Sequence, residues 1–298
     1  MPLLTIFTPT YNREKTLGRL YNSLRRQTCK DFLWLVIDDG STDNTGKWIT
    51  GIQKQDSGFE VEYIKKENGG LHTGYNCAIA NSKTELMVCI DSDDYMPDNA
   101  VEIISNFWNG NGSDAFAGIV GLDYYAGTDQ IVGDKLPDQK SVNLIDLLVG
   151  KYKLVNGDRT NVVRTAAYKE VAPMHAFAGE KNFNPHYLHL LISKKYDFLV
   201  LNKNLRYVDY QKDGMSNNIF KQYYNSPNSF AEIRKLYLSF DHIPFGFKLK
   251  NTIHLIASCI LARNIVKAFH YSKDKVLTFL LLPIGLLFAG VIKIIACK

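Results

Sequence analysis

Through its first hundred residues the chain alternates short apolar runs with segments whose apolar residues recur at helical spacing. No other feature of the sequence restricts the fold as much. Leu3 to Thr8, Phe32 to Ile37, Val61 to Ile64 and Glu85 to Ile90 read as strands. Between them Leu17, Leu20, Tyr21 and Leu24 share a helical face; Trp48, Ile49 and Ile52 form a second within Asp43 to Gln55, and Leu71, Tyr75, Ala78 and Ile79 a third. Pro97 suits the first turn of a further helix with Val101, Ile104 and Trp108 inward. Strands alternating with helices of this length imply an α/β fold, a mainly parallel sheet covered by helices on both faces. Such sheets bind ligands beyond the carboxyl ends of their strands. The polar clusters Pro9 to Arg13, Asp38 to Ser41, Glu67 to Gly70 and Asp91 to Asp94 all fall at those ends.

The last of these clusters carries the most chemistry. Asp91 and Asp93 follow the buried run Leu86 to Ile90, and side chains two apart on an extended chain point the same way. Two carboxylates so placed suit a hard divalent cation such as Mg²⁺ or Mn²⁺, which in turn binds phosphate oxygens. A solvated acidic loop after a strand is the plainer alternative.

A chain of 298 residues can bury a large core. Its formal charge of +5 is modest, and Lys and Arg are scattered without forming a stripe, which argues against nucleic acid as a partner. Cys29, Cys77, Cys89, Cys259 and Cys297 are odd in number and contain no CxxC pair, so neither a disulfide framework nor a zinc site is expected, and a reducing cytosol fits. Met1 runs straight into the first strand-like segment, and no secretory signal is expected.

Beyond Gly110 the alternation loosens. Phe116 to Leu122 and Tyr196 to Leu201 read as strands separated by polar loops, a mixed half expected to complete the sheet. Ile253 to Phe269 reads as one mostly apolar helix carrying Arg263, Asn264 and Lys267. Val276 to Ile292 is nearly uncharged, flanked by Lys273, Lys275 and Lys293, and Pro283 with Gly285 is expected to kink it. Basic flanks beside an apolar run suggest membrane association, either spanning or lying in the plane; a hairpin packed on the domain is the alternative.

Four clusters, Thr8-Pro9-Thr10-Tyr11-Asn12-Arg13, Ile37-Asp38-Asp39-Gly40-Ser41-Thr42-Asp43, Glu67-Asn68-Gly69-Gly70 with Asn76, and Asp91-Ser92-Asp93-Asp94, together resemble in order and spacing the family 2 glycosyltransferases with the GT-A fold. The resemblance is strong over residues 1–110 and weaker to about 220. It implies a nucleotide-sugar-binding half over 1–110, an acceptor-binding half of the same catalytic domain over 111–245, and a C-terminal helical, membrane-associating tail over 246–298. It further implies that Pro9, Tyr11 and Asn12 line a base pocket, that Asp39 accepts a hydrogen bond from a uracil N–H, and that Asn68 and Gly69 lie beside the nucleotide-sugar. Asp91, Asp93 and additionally Asp94 would hold Mn²⁺ or Mg²⁺ on the diphosphate, with Asp91 shared between donor and metal. Asp38 reads equally well as a turn former.

An inverting transfer also needs a base for the acceptor hydroxyl. The family places an acidic residue about a hundred positions after the metal motif, often as Glu-Asp; here Ala178-Gly179-Glu180-Lys181-Asn182 matches, with Lys181 where the second acid would be, and Glu180 is the candidate. Asp209-Tyr210-Gln211-Lys212-Asp213-Gly214-Met215-Ser216 resembles a segment of family members that build bacterial surface polysaccharides. The expectation is therefore an inverting, metal-dependent transfer, from a nucleotide-sugar and most simply a UDP-sugar, to a glycan or polyprenyl-linked glycan at the cytoplasmic face of a bacterial cell membrane. The alternative is a non-catalytic, transferase-like scaffold subunit. A dehydrogenase is excluded by the absence of glycine from Pro9 to Arg13.

Overall fold

Residues 32–38 are buried along their whole length, as a strand covered by helices on both faces must be. The computed structural model describes residues 1–154, 157–209 and 218–297. They divide into two units: 1–69, 73–174 and 188–209 form the first, and 70–72, 175–187 and the described residues beyond 209 form the second.

The first unit is built on an eight-stranded sheet of order β3-β2-β1-β4-β7-β5-β8-β6. Its strands are β1 (Leu4–Thr10), β2 (Phe32–Asp38), β3 (Glu60–Lys65), β4 (Leu86–Cys89), β5 (Phe116–Tyr125), β6 (Ser141–Val142), β7 (Arg159–Arg164) and β8 (Asp197–Val208). β1 to β4 are mutually parallel, with Thr10 level with Asp38, Asp38 with Lys65, and Phe7 with Cys89. β7 runs antiparallel between β4 and β5.

Alternation along β1 shows how both faces are covered. Leu4 and Ile6 join the core formed with α1 (Leu17–Arg25), α2 (Thr45–Ile52) and α4 (Ala100–Asn111). Phe7 points the other way and meets Tyr75 of α3 (Leu71–Asn81) edge-on at 4.9 Å between ring centres. Each fully buried Leu, Ile or Phe in these layers contributes about 1.5–3 kcal/mol, enough to fix which face each helix turns to the sheet. The edges are blunted: β3 carries exposed Glu60 and Lys65, and β6 has only 2 residues.

β7 is absent from the sequence reading, and β5 and β8 run past the expected ends at Leu122 and Leu201. Both differences have one cause. Thr160 bonds the Asp123 carboxylate, Asn161 lies 3.4 Å from His189, and Arg206 pairs with Asp123, so polar residues are buried where an apolar pattern was sought. Short helices α5 (Leu144–Leu148), α6 (Thr165–Val171) and α7 (His186–Ile192) connect these strands.

The second unit is helical: α8 (Ile219–Asn225), α9 (Pro227–Ser239), α10 (Phe245–Leu261), α11 (Val266–Tyr271), α12 (Lys275–Leu280) and α13 (Leu282–Ala296). Ala231 and Leu238 of α9 share a core with Leu255, Ile256 and Cys259 of α10, Ala268 and Leu281, so the helices after residue 246 pack together with those before it.

The single helix expected over Ile253 to Phe269 is two. Arg263 takes φ +56, its N–H reaches the Ile260 carbonyl and that of Asn264 the Cys259 carbonyl, a left-handed stop after α10. The run Val276 to Ile292 likewise breaks at Leu281, with Pro283 in the first turn of α13 where its missing N–H costs nothing. Among the described residues no helix is long and apolar enough to cross a membrane.

Candidate active site

Because β1 to β4 are parallel, and β1, β2 and β3 are level at their ends, the loops that follow them gather at one edge of the sheet. Loop one is locked to loop two by Asn12. Its backbone sits at φ +53, its N–H donates to Ser41 Oγ at 2.9 Å, and its side-chain oxygen accepts from Thr42 N at 2.8 Å. Asn12 thus acts as a latch that shapes the pocket expected to hold the base. Tyr11 beside it is 48% exposed, an uncommitted aromatic face at a strand end, while Pro9 is half-buried within β1.

Asp38 is the turn former. Its Oδ1 accepts from Ser41 N at 2.7 Å and its Oδ2 from the Tyr63 hydroxyl at 2.6 Å. Desolvation, reinforced by Asp38, pushes the Tyr63 phenol up and keeps it a donor.

Asp39 is buried and held by loop three. Its Oδ1 accepts from Lys66 Nζ at 2.6 Å and from Gly69 N at 3.0 Å, and its carbonyl accepts from Asn68 Nδ2 at 2.8 Å. Lys66 also donates to Thr73 Oγ1 at 2.8 Å, which pins it across the loop. Two glycines permit this closeness. Gly40 takes φ +84 with Asn68 N only 3.1 Å from where a Cβ would stand, and a Cβ at Gly69 would meet Thr73 Oγ1 at 2.7 Å. Asp39, Asn68 and Gly69 are therefore brought together. Lys66 was missed, since one lysine at a strand end carries no sequence signal of its own.

The acidic loop after β4 divides its carboxylates by burial. The Asp91 side chain is 48% exposed, and the Asp93 carboxylate makes no hydrogen bond or ion pair among the described residues. Asp94 is turned inward: Oδ1 accepts from Asp209 N at 3.1 Å, and Oδ2 lies 3.3 Å from Arg206. Burial pushes Asp94 up to about 8, against the pull of Arg206.

Arg206, on the part of β8 beyond its expected end, also faces Asp91 Oδ2 at 3.6 Å and pairs with buried Asp123. One guanidinium thus offsets three carboxylates. Among the described residues no group of three or more His, Cys, Asp or Glu side chains is placed to hold a metal ion. The donor set that fits a divalent cation is the pair Asp91 and Asp93, the hard-oxygen complement that Mg²⁺ or Mn²⁺ takes when phosphate oxygens and water supply the rest. Asp94, expected as a further ligand, has both oxygens engaged within the protein.

Arg19 of α1 braces this loop, donating to the Asp93 carbonyl and pairing with Asp209 at 2.6 Å. Behind it lies a groove of about 820 Å³, lined among others by Lys15, Arg19, Arg26 and Tyr95.

Glu180 lies in the second unit and is buried. Its Oε1 accepts from Asn228 N at 2.8 Å and Asn228 Nδ2 at 2.9 Å, and its Oε2 from Ser229 N and Ser229 Oγ, both at 2.7 Å. Four donors fill the four lone-pair sites of a carboxylate. In this arrangement Glu180 anchors the first turn of α9, where it also meets the positive end of the helix dipole; to serve as base for an acceptor hydroxyl it would have to release one of these four bonds. Asp209 is described, but Tyr210 to Ser216 of the later segment lie outside the described residues.

Comparison with known proteins agrees with this geometry. The profile "Glycosyl transferase family 2" matches residues 5–160. Poly(ribitol-phosphate) beta-N-acetylglucosaminyltransferase TarP of Staphylococcus aureus is 31% identical over 125 residues, which are 41% of this chain and 38% of that protein. Glycosyltransferase GlyG of Streptococcus pneumoniae is 26% identical over 197 residues, 59% of this chain and 64% of its own length. The chain thus spans less than two thirds of either relative.

Among solved structures, S. aureus TarS 1-349 in complex with UDP-GlcNAc superposes with a TM-score of 0.56 at 20% identity, covering 92% of this chain and 76% of that one. The mannosyltransferase PcManGT from Pyrobaculum calidifontis in complex with GDP-Man and Mn²⁺ gives 0.59 at 13% identity, covering 100% and 84%. At those identities the superpositions speak for the GT-A fold. With the profile spanning more than half of the sequence, and all four loop clusters inside it, the chain belongs to glycosyl transferase family 2.

Proposed function

We propose that the protein is an inverting glycosyltransferase that takes its sugar, of hexosyl or N-acetylhexosaminyl type, from a UDP-sugar. The observation that carries this reading is the gathering of an exposed Tyr11, a braced Asp39 and the accessible pair Asp91 and Asp93 at the ends of adjacent parallel strands. Tyr11 offers a flat face to the base. Asp39, fixed by Lys66 and Gly69, is an acceptor for the uracil imide N–H. Asp91 and Asp93 would hold Mn²⁺ or Mg²⁺; when bound, that ion neutralises charge growing on the diphosphate as the glycosidic bond breaks. Arg206 steadies Asp91 from behind. A UDP-GlcNAc complex and a Mn²⁺ complex among the structural neighbours support donor and metal.

For the acceptor we infer a glycan, lipid-linked during surface-polysaccharide assembly, so that transfer runs at the cytoplasmic face of a bacterial membrane. The support is the polymer acceptor in the name of TarP and the apolar C-terminal helices.

Turnover of a panel of nucleotide-sugars with and without Mn²⁺ tests the reading. Asp93→Ala should cut metal-dependent turnover by a hundredfold or more, roughly the scale of a lost charge-stabilising group, while thermal unfolding stays unchanged because this carboxylate bonds to nothing else among the described residues. Full turnover of Asp93→Ala in saturating Mn²⁺ would refute the metal assignment. A parent protein that binds UDP-sugars and never turns them over would favour the scaffold.

A further inference from the structure

From Lys275 to Lys298 the chain contains no acidic residue, and α12 and α13 give this stretch two unlike faces. The inner face is fixed. Gly285 sits so close to α10 that a Cβ there would fall 2.3 Å from Ile256 Cγ2, and Ala289 and Ile292 close a cluster with Ala257 and Tyr223. The outer face is apolar and bare. Val276 is 71% exposed, Phe279 66%, Leu280 65%, Leu286 61%, Leu287 71% and Ile294 61%. So many exposed apolar side chains on two successive helices mark an interaction site.

Three properties select the occupant. First, α12 has 6 residues and α13 has 15, or roughly 22 Å at 1.5 Å per residue, which falls short of a hydrocarbon core of about 30 Å. With the inner face held by α10, only the outer side chains are available. Second, the charges on the stretch are all positive: exposed Lys275 and Lys293 flank the apolar residues. Third, the acid that immediately precedes the stretch, Asp274, is committed to Lys248 at 2.7 Å and to capping Leu277 N. A second copy placed on this face would bring lysines toward lysines without an acid between them. An anionic lipid surface complements both the apolar centre and the basic flanks.

We propose that the outer face of α12 and α13 is a docking face that lies in the plane of an anionic bilayer, with Phe279, Leu280, Leu287 and Ile294 among the acyl chains and Lys275 and Lys293 at the headgroups. The proposal deepens the reading of a membrane-side acceptor and rests on it for its purpose, but its test is independent of catalysis. The full chain should float with vesicles of phosphatidylglycerol and phosphatidylcholine, more weakly with phosphatidylcholine alone, and be released in part by salt.

Phe279→Glu with Leu287→Glu should cut vesicle binding by about tenfold or more, with unfolding temperature and circular dichroism unchanged, since both side chains face solvent. Lys275→Glu with Lys293→Glu should remove the preference for anionic lipid, and Asp93→Ala should bind like the parent whatever its activity. In Leu287→Trp, fluorescence should be quenched by brominated lipid labelled near the headgroup more than by lipid labelled at the chain end. The proposal is overturned if the parent ignores both vesicle types, if deep labels quench more strongly, or if the double glutamate variant binds vesicles like the parent while converting a dimer to a monomer.

Discussion

Lys66 shows what a single residue adds to the site. Its ammonium reaches one oxygen of Asp39 and the Thr73 hydroxyl, so a carboxylate that is otherwise almost enclosed keeps a fixed orientation and a counter-charge. Lys66→Met should weaken UDP-sugar binding by about tenfold, the scale of one charge-assisted hydrogen bond, and leave kcat nearly unchanged, because on the proposed reading Asp39 would meet the base and not the breaking bond. Lys66→Arg should restore most of the affinity. Donor titration beside steady-state kinetics reads the split; a fall in kcat at constant KM would place Lys66 elsewhere in the mechanism. Asp39 could be named from the sequence because it sits in a recognisable loop, whereas its partner is set by how two loops meet in space.

At the scale of the element, α9 depends on a residue 47 positions before it, from Glu180 to Pro227. No side chain of its own caps α9, and Glu180 supplies the acceptors that its first turn needs. Glu180→Gln presents an N–H₂ group toward donors and leaves at least one of them unsatisfied. It should lower stability by about 1–3 kcal/mol, visible as a fall in unfolding temperature. A base would behave otherwise: the same variant would keep its unfolding temperature and lose turnover. In sequence Glu180 has the spacing of a catalytic acid, and a spacing cannot tell an acid that meets substrate from one that caps a helix.

In the second unit as a whole, His254 of α10 is a half-buried polar group on which several helices meet. Its Nδ1 lies 2.7 Å from the Tyr223 hydroxyl and its ring packs on Phe288 with centres 4.7 Å apart. Burial, reinforced by Arg234 and Lys250, lowers it to about 4. Since the unfolded chain takes up this proton near pH 6.5 and the folded one does not until about 4, stability is full above pH 6.5 and falls as pH drops through that window. Discounted for partial exposure, the loss is about 1–3 kcal/mol. His254→Gln should flatten the pH dependence of unfolding between those limits; an unchanged profile would show that other groups set it.

The parallel sheet, its helices and the four loops at the strand ends were legible in the sequence because they depend on local periodicity and on short motifs at strand ends. Burial of both sheet faces leaves unbroken apolar runs, and chemistry leaves Asp39, Asp91 and Asp93 beside them. What only the tertiary structure decided lies wherever polar groups satisfy one another across long separations. The strand at 159–164 was hidden by its own hydrogen bonds to Asp123 and the neighbourhood of His189, and Asp94 was turned from the surface by Arg206. The apolar tail became a two-faced pair of helices once Gly285 met Ile256. Sequence patterns report the water-facing or core-facing preference of each residue, but the partner that satisfies a buried charge is fixed only when distant strands and helices come together.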